Sequence, residues 1–400
     1  MEAQPTHHAD PREVLRVETF TEGEIASVDL AEVRAKLVRN RAAIGKVCFE
    51  RTDVVHGANV ALLATEHVLL LGPPGVAKSF VARTWAAQFE VSFAEYMLTR
   101  QTAETDVLHY FDVPAFMAGT KVHRYDGMVT AAQIAFLDEA YKGPQIVNGM
   151  LAWLNERKLP GGGASPLLTC ILASNEGPES TDLSAFDDRL VVRFWVERLA
   201  DRGNRLALIR SKGRGQARVQ LEQISFLEIT AAQRAVAALP VDDLAANAIL
   251  DVQDSLCAAQ IEISDRRAQA ATGLCQAHAW LDGSPQVEID HVDFLRNVLW
   301  RRPEDRPAVD AAIGAVNRGV LGEIRTGVER ILAHFNEQRA RADFPSRAWE
   351  TANYIKDQTA VLTAAWKDKV PPRLRPRAND YFGELRQAFE QAKAASALTT

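Results

Sequence analysis

The sequence predicts an α/β sandwich with a mostly parallel sheet, followed by an all-α lid and a C-terminal helical extension. Three observations carry that prediction. Up to about Arg202, short apolar segments alternate with helix-like stretches: His67–Leu71, Ser92–Met97, Ile134–Leu137, Leu167–Ala173 and Leu190–Trp195 read as strands. The first of these runs directly into a glycine-containing turn and a helix-like run, Ser79–Phe89. Beyond Arg202 the strand signals fade and helical spacing takes over.

In chain order, residues 1–28 are polar and read as a loose extension. Leu30, Val33, Leu37, Val38 and Ile44 recur at helical spacing behind Asp29, a helix-capping residue type, and a second helix follows from about Arg51 to Ala64. Gln145–Asn155 is a helix between two of the strands. Ala231–Leu239, Leu244–Ala259 and Ser264–Leu281 read as helices, closed by the turn Asp282–Pro285. Val309, Ile313, Val316, Val320, Ile324, Val328, Ile331 and Phe335 then mark one face of a single long helix. Helices from about Trp349 to Trp366 and from about Asp380 to Ala395 would pack on it, joined by the basic, proline-broken linker Lys369–Arg377.

Composition narrows the function classes. With 46 basic and 52 acidic residues the net charge is −6, so no global basic field holds a nucleic acid, and 47% hydrophobic content excludes a mostly disordered chain. Cys48, Cys170, Cys257 and Cys275 are far apart, which indicates buried free thiols in place of a zinc cage or disulfide framework. The N-terminus lacks the apolar segment of a secretory signal, and Val60–Leu71 is interrupted by Thr65, Glu66 and His67 and is too short to span a bilayer. The expectation is a cytoplasmic protein with no membrane insertion.

The chemistry concentrates in four short segments. In Gly72, Pro73, Pro74, Gly75, Val76, Ala77, Lys78, Ser79 and Phe80, glycines let backbone N–H groups approach a phosphate chain, and the following helix adds its positive end. Lys78 would bridge the β- and γ-phosphates of ATP and Ser79 would ligand Mg²⁺. The general pattern has Gly before the Lys; Ala77 stands there, and helical dihedrals at that position would still close the loop. Ile134–Glu139 is an apolar strand ending in two acids, Asp138 to hold Mg²⁺ and Glu139 to activate the attacking water. Asn175 ends another strand, where an amide can orient that water. In FDDRL, Arg189 could act as a finger on a neighbouring subunit's ATP, with Arg193 as its close competitor and an ion pair to Asp187 or Asp188 as the structural alternative. In SDRR, Arg266 is placed to reach a γ-phosphate, against the alternative of pairing with Asp265 on a solvated helix face.

These residues resemble the MoxR group of AAA+ ATPases, and its RavA-like branch most closely. The resemblance rests on LLLGPPGVAKS with its Ala before the Lys, and on MLTRQT, AFLDEAYKG, LAWLNERKL, LASNEGPE, FDDRL and SDRRAQA, from about Lys46 to about Trp300. It implies an AAA+ αβα nucleotide-binding domain over 29–202, a helical lid over 203–300 and a helical bundle over 301–400. It also implies an insert near helix 2, at about Thr105–Met128, where VLHYFDVPAF stands in place of a usual Gly-Pro step, and a hairpin at Asn155–Pro166. The function implied is ATP hydrolysis at the subunit interfaces of a hexameric ring, with Arg189 acting in trans, coupled to chaperone-like remodelling of a protein client. A partner bearing a von Willebrand A domain is common in that group. Readings of other classes are a nucleic-acid motor on the same core, a transcription activator (whose GAFTGA loop is absent here) and a nucleotide-gated scaffold.

Overall fold

The computed structural model describes residues 19–178, 181–211, 219–341, 344–366 and 375–397. They form two compact units. The first draws on the described residues within Met1–Pro240, Ile263–Gln286 and Asn297–Asp305, and the second on those within Val241–Glu262, Val287–Arg296 and Arg306–Thr400.

The first unit begins with α1 (Glu22–Ala26), inside the stretch expected to be loose. The Thr21 hydroxyl caps the helix while the Glu24 carboxylate accepts from the Thr21 N–H at 2.7 Å, a reciprocal capping box that was readable in the sequence. Next come α2 (Leu30–Gly45), capped by Asp29 as expected, and α3 (Thr52–Leu63). Then β1 (Val68–Leu71) enters the loop, α4 (Lys78–Ala86) leaves it, and β2 (Phe89–Glu90) and β3 (Phe93–Met97) follow. The insert region contains α5 (Glu104–Val107), β4 (Tyr110–Phe111), α6 (Val113–Met117) and β5 (His123–Arg124). It is a small antiparallel hairpin with a helical turn at its tip, capped by Asp112, which also pairs with Arg124 at 2.8 Å. The Asp112 cap and a proline in the first turn give this segment its own local structure without a Gly-Pro step.

The remaining elements are β6 (Ile134–Asp138), α7 (Val147–Glu156), β7 (Thr169–Ser174), α8 (Thr181–Asp188), β8 (Val192–Trp195), α9 (Arg202–Ser211), β9 (Ile224–Ser225) and α10 (Phe226–Ala237). Five strands make one sheet in the order β3-β6-β7-β1-β8, every pair parallel, so the expected α/β class is what the chain forms. β1 and β7 are buried along their whole length, as a parallel strand covered by helices on both faces requires. Gly57 on α3 lies against the Phe194 ring of β8, and a Cβ there would come within 2.1 Å of Cζ. The expected hairpin at Asn155–Pro166 is present as a short one: Lys158 bridges Ala164 antiparallel, and the Leu159 and Ser165 N–H groups donate to the Gly163 and Arg157 carbonyls.

After α11 (Asp243–Ala258), which belongs to the second unit, α12 (Asp265–Asp282) returns to the first, where it lies beside α3 and α10. The second unit continues with α13 (Arg306–Arg339), α14 (Phe344–Trp366) and α15 (Arg375–Ala397). Ile324, Val328, Ile331 and Phe335 of the predicted stripe pack with Ala352, Ile355, Leu385, Ala388 and Ala392. Of the predicted linker, 375–377 are the first turn of α15, and 369–374 lie outside the described residues. Cys48, Cys170 and Cys275 are buried as expected; Cys257 is exposed, because it falls on the outer face of α11. Burial pushes the Cys48 thiol up to about 11 and Cys275 to about 12, which keeps both protonated and inert.

Candidate nucleotide site and a separate arginine cleft

The loop from Gly72 to Ala77 connects the C-terminal end of β1 to the first turn of α4. Gly72 adopts φ +152°, and a Cβ there would stand 2.2 Å from the Val196 carbonyl oxygen, so this position accepts glycine alone. Its N–H donates to the Ser174 carbonyl at 3.2 Å, tying the loop to the end of β7. Gly75 has φ +81°. Ala77 is the correction: it is not helical but left-handed, at φ 68° and ψ 29°. The loop needs positive φ immediately before the Lys, which is why glycine is usual there. For alanine that conformation costs roughly 1–2 kcal/mol.

Five polar side chains meet at this edge of the sheet. Lys78 is buried, and its ammonium donates to the Gly72 carbonyl at 2.6 Å, the Pro73 carbonyl at 3.2 Å and Asn175 Oδ1 at 2.7 Å. The Asn175 amide in turn donates to Glu139 Oε1 at 2.8 Å. Ser79 Oγ donates to Asp138 Oδ2 at 2.9 Å. Burial lowers the Lys78 ammonium from its ordinary range, and the carboxylates of Asp138 and Glu139 oppose that shift. Strand register explains the meeting: β6, β7 and β1 are parallel neighbours, so Asp138, Ser174 and Leu71 all end at the same edge. Pro73, Pro74, Val76 and Phe80 belong to the same loop and first helical turn; Val76 is buried and Pro74 is exposed.

The donor set suits Mg²⁺. A hydroxyl and a carboxylate oxygen, 2.9 Å apart beside the phosphate loop, are hard ligands that leave positions for phosphate oxygens and water. Among the described residues there is no cluster of three or more His, Cys, Asp or Glu that could hold a metal ion.

The predicted arginines are elsewhere. Arg189 and Arg266 line a cleft of about 500 Å³ with Thr65, Glu66, Asn155 and Arg157. Thr65 and Glu66 precede β1, whereas the phosphate loop follows it. The cleft is therefore at the opposite edge of the sheet, about 13 Å away along a four-residue strand. Arg266 Nη1 donates to Asn155 Oδ1 at 3.0 Å and does not approach its own chain's loop. Burial lowers the Arg189 guanidinium, and the charge of Arg266 lowers it further.

Arg193 takes the structural alternative. It is fully buried, pairs with Asp187 at 3.3 Å, and donates to the carbonyls of Asp187, Leu190 and Arg301. With its donors committed inside the core it has no reach to a neighbouring molecule. Arg267, next to Arg266, is likewise buried, on Asp188 at 3.3 Å and the Val298 carbonyl at 2.7 Å. Burial, then the charge of Arg193, lowers Arg267 to about 9. Sequence reasoning missed Lys142, which stands 3.1 Å from Glu139 Oε2. Its i+3 spacing from Glu139 was the available signal.

A model of the MoxR domain found in MoxR–vWA–β-propeller ternary systems matches residues 35–235, just over half of the chain. The chain belongs to the MoxR family of AAA+ ATPases. An AAA lid-domain model matches residues 245–313. Two uncharacterized proteins of Methanocaldococcus jannaschii are similar to it. One is 29% identical over 69% of this chain and 73% of its own, the other 28% identical over 72% and 77%. A crystal structure of a candidate ATPase from Cytophaga hutchinsonii shares the fold, with TM-score 0.59 and 15% identity over 74% of this chain and 98% of the other. These matches establish the MoxR family and not the RavA-like branch within it. In this MoxR protein, as in the family, the fold class is α/β with an all-α lid and C-terminal helices. No helix among the described residues is long and apolar enough to cross a membrane.

Proposed function

We propose that this MoxR protein hydrolyses Mg-ATP at the Lys78–Asp138–Glu139–Asn175 site and uses the cycle to remodel or activate a protein client. The observation that carries the reading is the unbroken hydrogen-bonded series Lys78–Asn175–Glu139 beside the Ser79–Asp138 pair. It links a phosphate cation to a base through a water-orienting amide that is hydrogen-bonded to both. Lys78 and the loop N–H groups would bind the phosphates. Ser79 and Asp138 would hold Mg²⁺, which supplies neutralising charge to the phosphate oxygens. Glu139 would take the proton from the attacking water while Asn175 fixes that water's orientation.

The arginine cleft supports assembly into a closed ring. Arg189 and Arg266 lie together at the far end of β1 from their own loop and their charges oppose each other, so a nucleotide of an adjacent subunit is the anion they suit. We read the assembly as a homo-hexamer with ATP at each interface, Arg189 as the finger and Arg266 as a second contact to the γ-phosphate. The match to a MoxR domain of MoxR–vWA–β-propeller systems favours a von Willebrand A-domain partner.

Steady-state ATPase rates of wild type and Glu139→Gln, with particle size by light scattering, test this. The expected result is a loss of about 10²–10⁴ in turnover, with an ATP-dependent ring retained in both. Equal turnover in the two proteins overturns the base assignment.

A further inference from the structure

The turn that follows Asp138 is more tightly specified than a strand end requires. Glu139 has φ 59°, a left-handed conformation that costs a non-glycine residue roughly 1–3 kcal/mol. Three bonds hold it there. The Ala140 N–H donates to the Ala173 carbonyl at 2.9 Å, which pins the turn to β7. The Lys142 N–H donates back to the Glu139 carbonyl at 2.8 Å, which closes it. Between them the buried Tyr141 hydroxyl donates to Asp187 Oδ1 at 2.5 Å. Burial, then the charge of Asp187, pushes that hydroxyl well above its usual range, so it stays a neutral donor.

The consequence is where Lys142 goes. The closed turn returns its side chain over the Glu139 carboxylate, with Nζ 3.1 Å from Oε2. The other oxygen, Oε1, accepts from Asn175. The carboxylate is thus held from both sides, by an amide and by an ammonium.

The two holders differ in what else they are bound to. Asn175 also accepts from Lys78, so its position is tied to the group that meets the phosphates. Any rearrangement of Lys78 toward a substrate phosphate loosens the Asn175 side of the clamp. Lys142 is bound to nothing in the phosphate loop, and its backbone is fixed by the turn. The Glu139 side chain is 19% exposed and that of Lys142 49%, so the pair adds little to folding stability. Its value lies in orientation, because a base displaced by about 1 Å loses up to roughly 10²-fold in rate.

We propose that Lys142 is a positioning residue for hydrolysis, fixing the orientation of the Glu139 carboxylate through the cycle. The proposal rests on the reading of Glu139 as the general base.

The test compares Lys142→Met, Lys142→Arg and Glu139→Gln in the full-length protein, by ATP turnover, ATP KM and thermal melting. Lys142→Met keeps the length of the stem and removes the charge. It is expected to lower kcat about tenfold, leave KM within about twofold and leave the melting curve unchanged. Lys142→Arg is expected to recover at least about half of the wild-type kcat, since it restores the cation. Wild-type or faster turnover in Lys142→Met, a KM that rises in step with the loss of kcat, or an arginine variant as slow as the methionine variant would each overturn it. An active Glu139→Gln removes the base assignment and this proposal together. An inactive Glu139→Gln beside a fully active Lys142→Met removes this proposal alone.

Discussion

The two edges of the central sheet carry opposite kinds of electrostatics. At the loop edge, Lys78, Asn175, Glu139, Ser79 and Asp138 satisfy one another, positive beside negative and donor beside acceptor. At the other edge Arg157, Arg189 and Arg266 converge on a cleft with Glu66 as the single acid. Arg157 is consumed by the carbonyls of Thr65, Leu154 and Leu168 and serves as a wall. Arg189 and Arg266 line the same cleft, Arg266 donating to Asn155 Oδ1. The first edge gathers the phosphate-loop groups of one chain, whereas the second gathers positive charge that, in the proposed ring, would meet a neighbouring subunit's nucleotide. A ring of identical subunits would bring the two edges together without any further component.

The sharpest way to break this comparison is Arg189→Ala. If the cleft completes a neighbour's site, turnover falls by about 10³ or more, while ATP binding, read by fluorescent-nucleotide titration, stays near wild type. Loss of binding instead would place Arg189 in its own chain's site. Next in size is Arg193→Met. Removing one partner of the buried Arg193–Asp187 pair should destabilise the fold by about 3–5 kcal/mol, read in urea melts. A variant of normal stability with a finger-like loss of turnover would reverse the roles given to Arg189 and Arg193.

A smaller effect concerns the cleft wall. Burial raises the Glu66 carboxyl to about 7, against the opposing charges of Arg157, Arg266 and Arg267. A carboxyl raised on folding stabilises the protein fully below its unfolded pKa, and that contribution is lost as pH rises through about 7. Glu66→Gln should therefore leave stability at pH 4 unchanged and raise it at pH 8 by roughly 1–2 kcal/mol, measured as the difference between urea midpoints. A pH-independent difference would show that solvent reaches Glu66. The smallest effect is at the loop edge. Ala77→Gly releases left-handed strain but gives the unfolded chain more freedom, for a net gain of up to about 1 kcal/mol. Calorimetry reads it, and a loss of stability would contradict the strain assigned to Ala77.

The loop edge was legible in the sequence because each of its parts is a contiguous run ending a strand. GPPGVAKS, FLDE and LASN name their own residues, and parallel pairing brings strand ends to one edge whatever the details. The handedness of Ala77 was not legible, because it depends on how the loop closes against Val196 and Ser174. The cleft was half legible. Arg189 and Arg193 are four residues apart in FDDRLVVR and chemically alike, and only the pairing of Arg193 with Leu69 inside β8 shows which one is swallowed by the core. Arg266 and Arg267 pose the same ambiguity, resolved by which face of α12 meets Asp188. Burial pushes the Asp188 carboxyl up, but the Ser264 hydroxyl and Arg267 outweigh it and keep it below its usual range. The capping box at Thr21–Glu24 was visible as TEGE, yet its helix is too short to show a periodicity.

The proposed division of one site between two chains is tested most directly by mixing Lys78→Ala with Arg189→Ala protein, each expected to be inactive alone. In a random ring of equal parts, about one interface in four joins an intact Lys78 to an intact Arg189. The account predicts recovery of ATPase activity to about a quarter of the wild-type rate. No recovery, with subunit exchange confirmed by energy transfer between labelled chains, would place Arg189 in the same site as its own Lys78 and contradict the account.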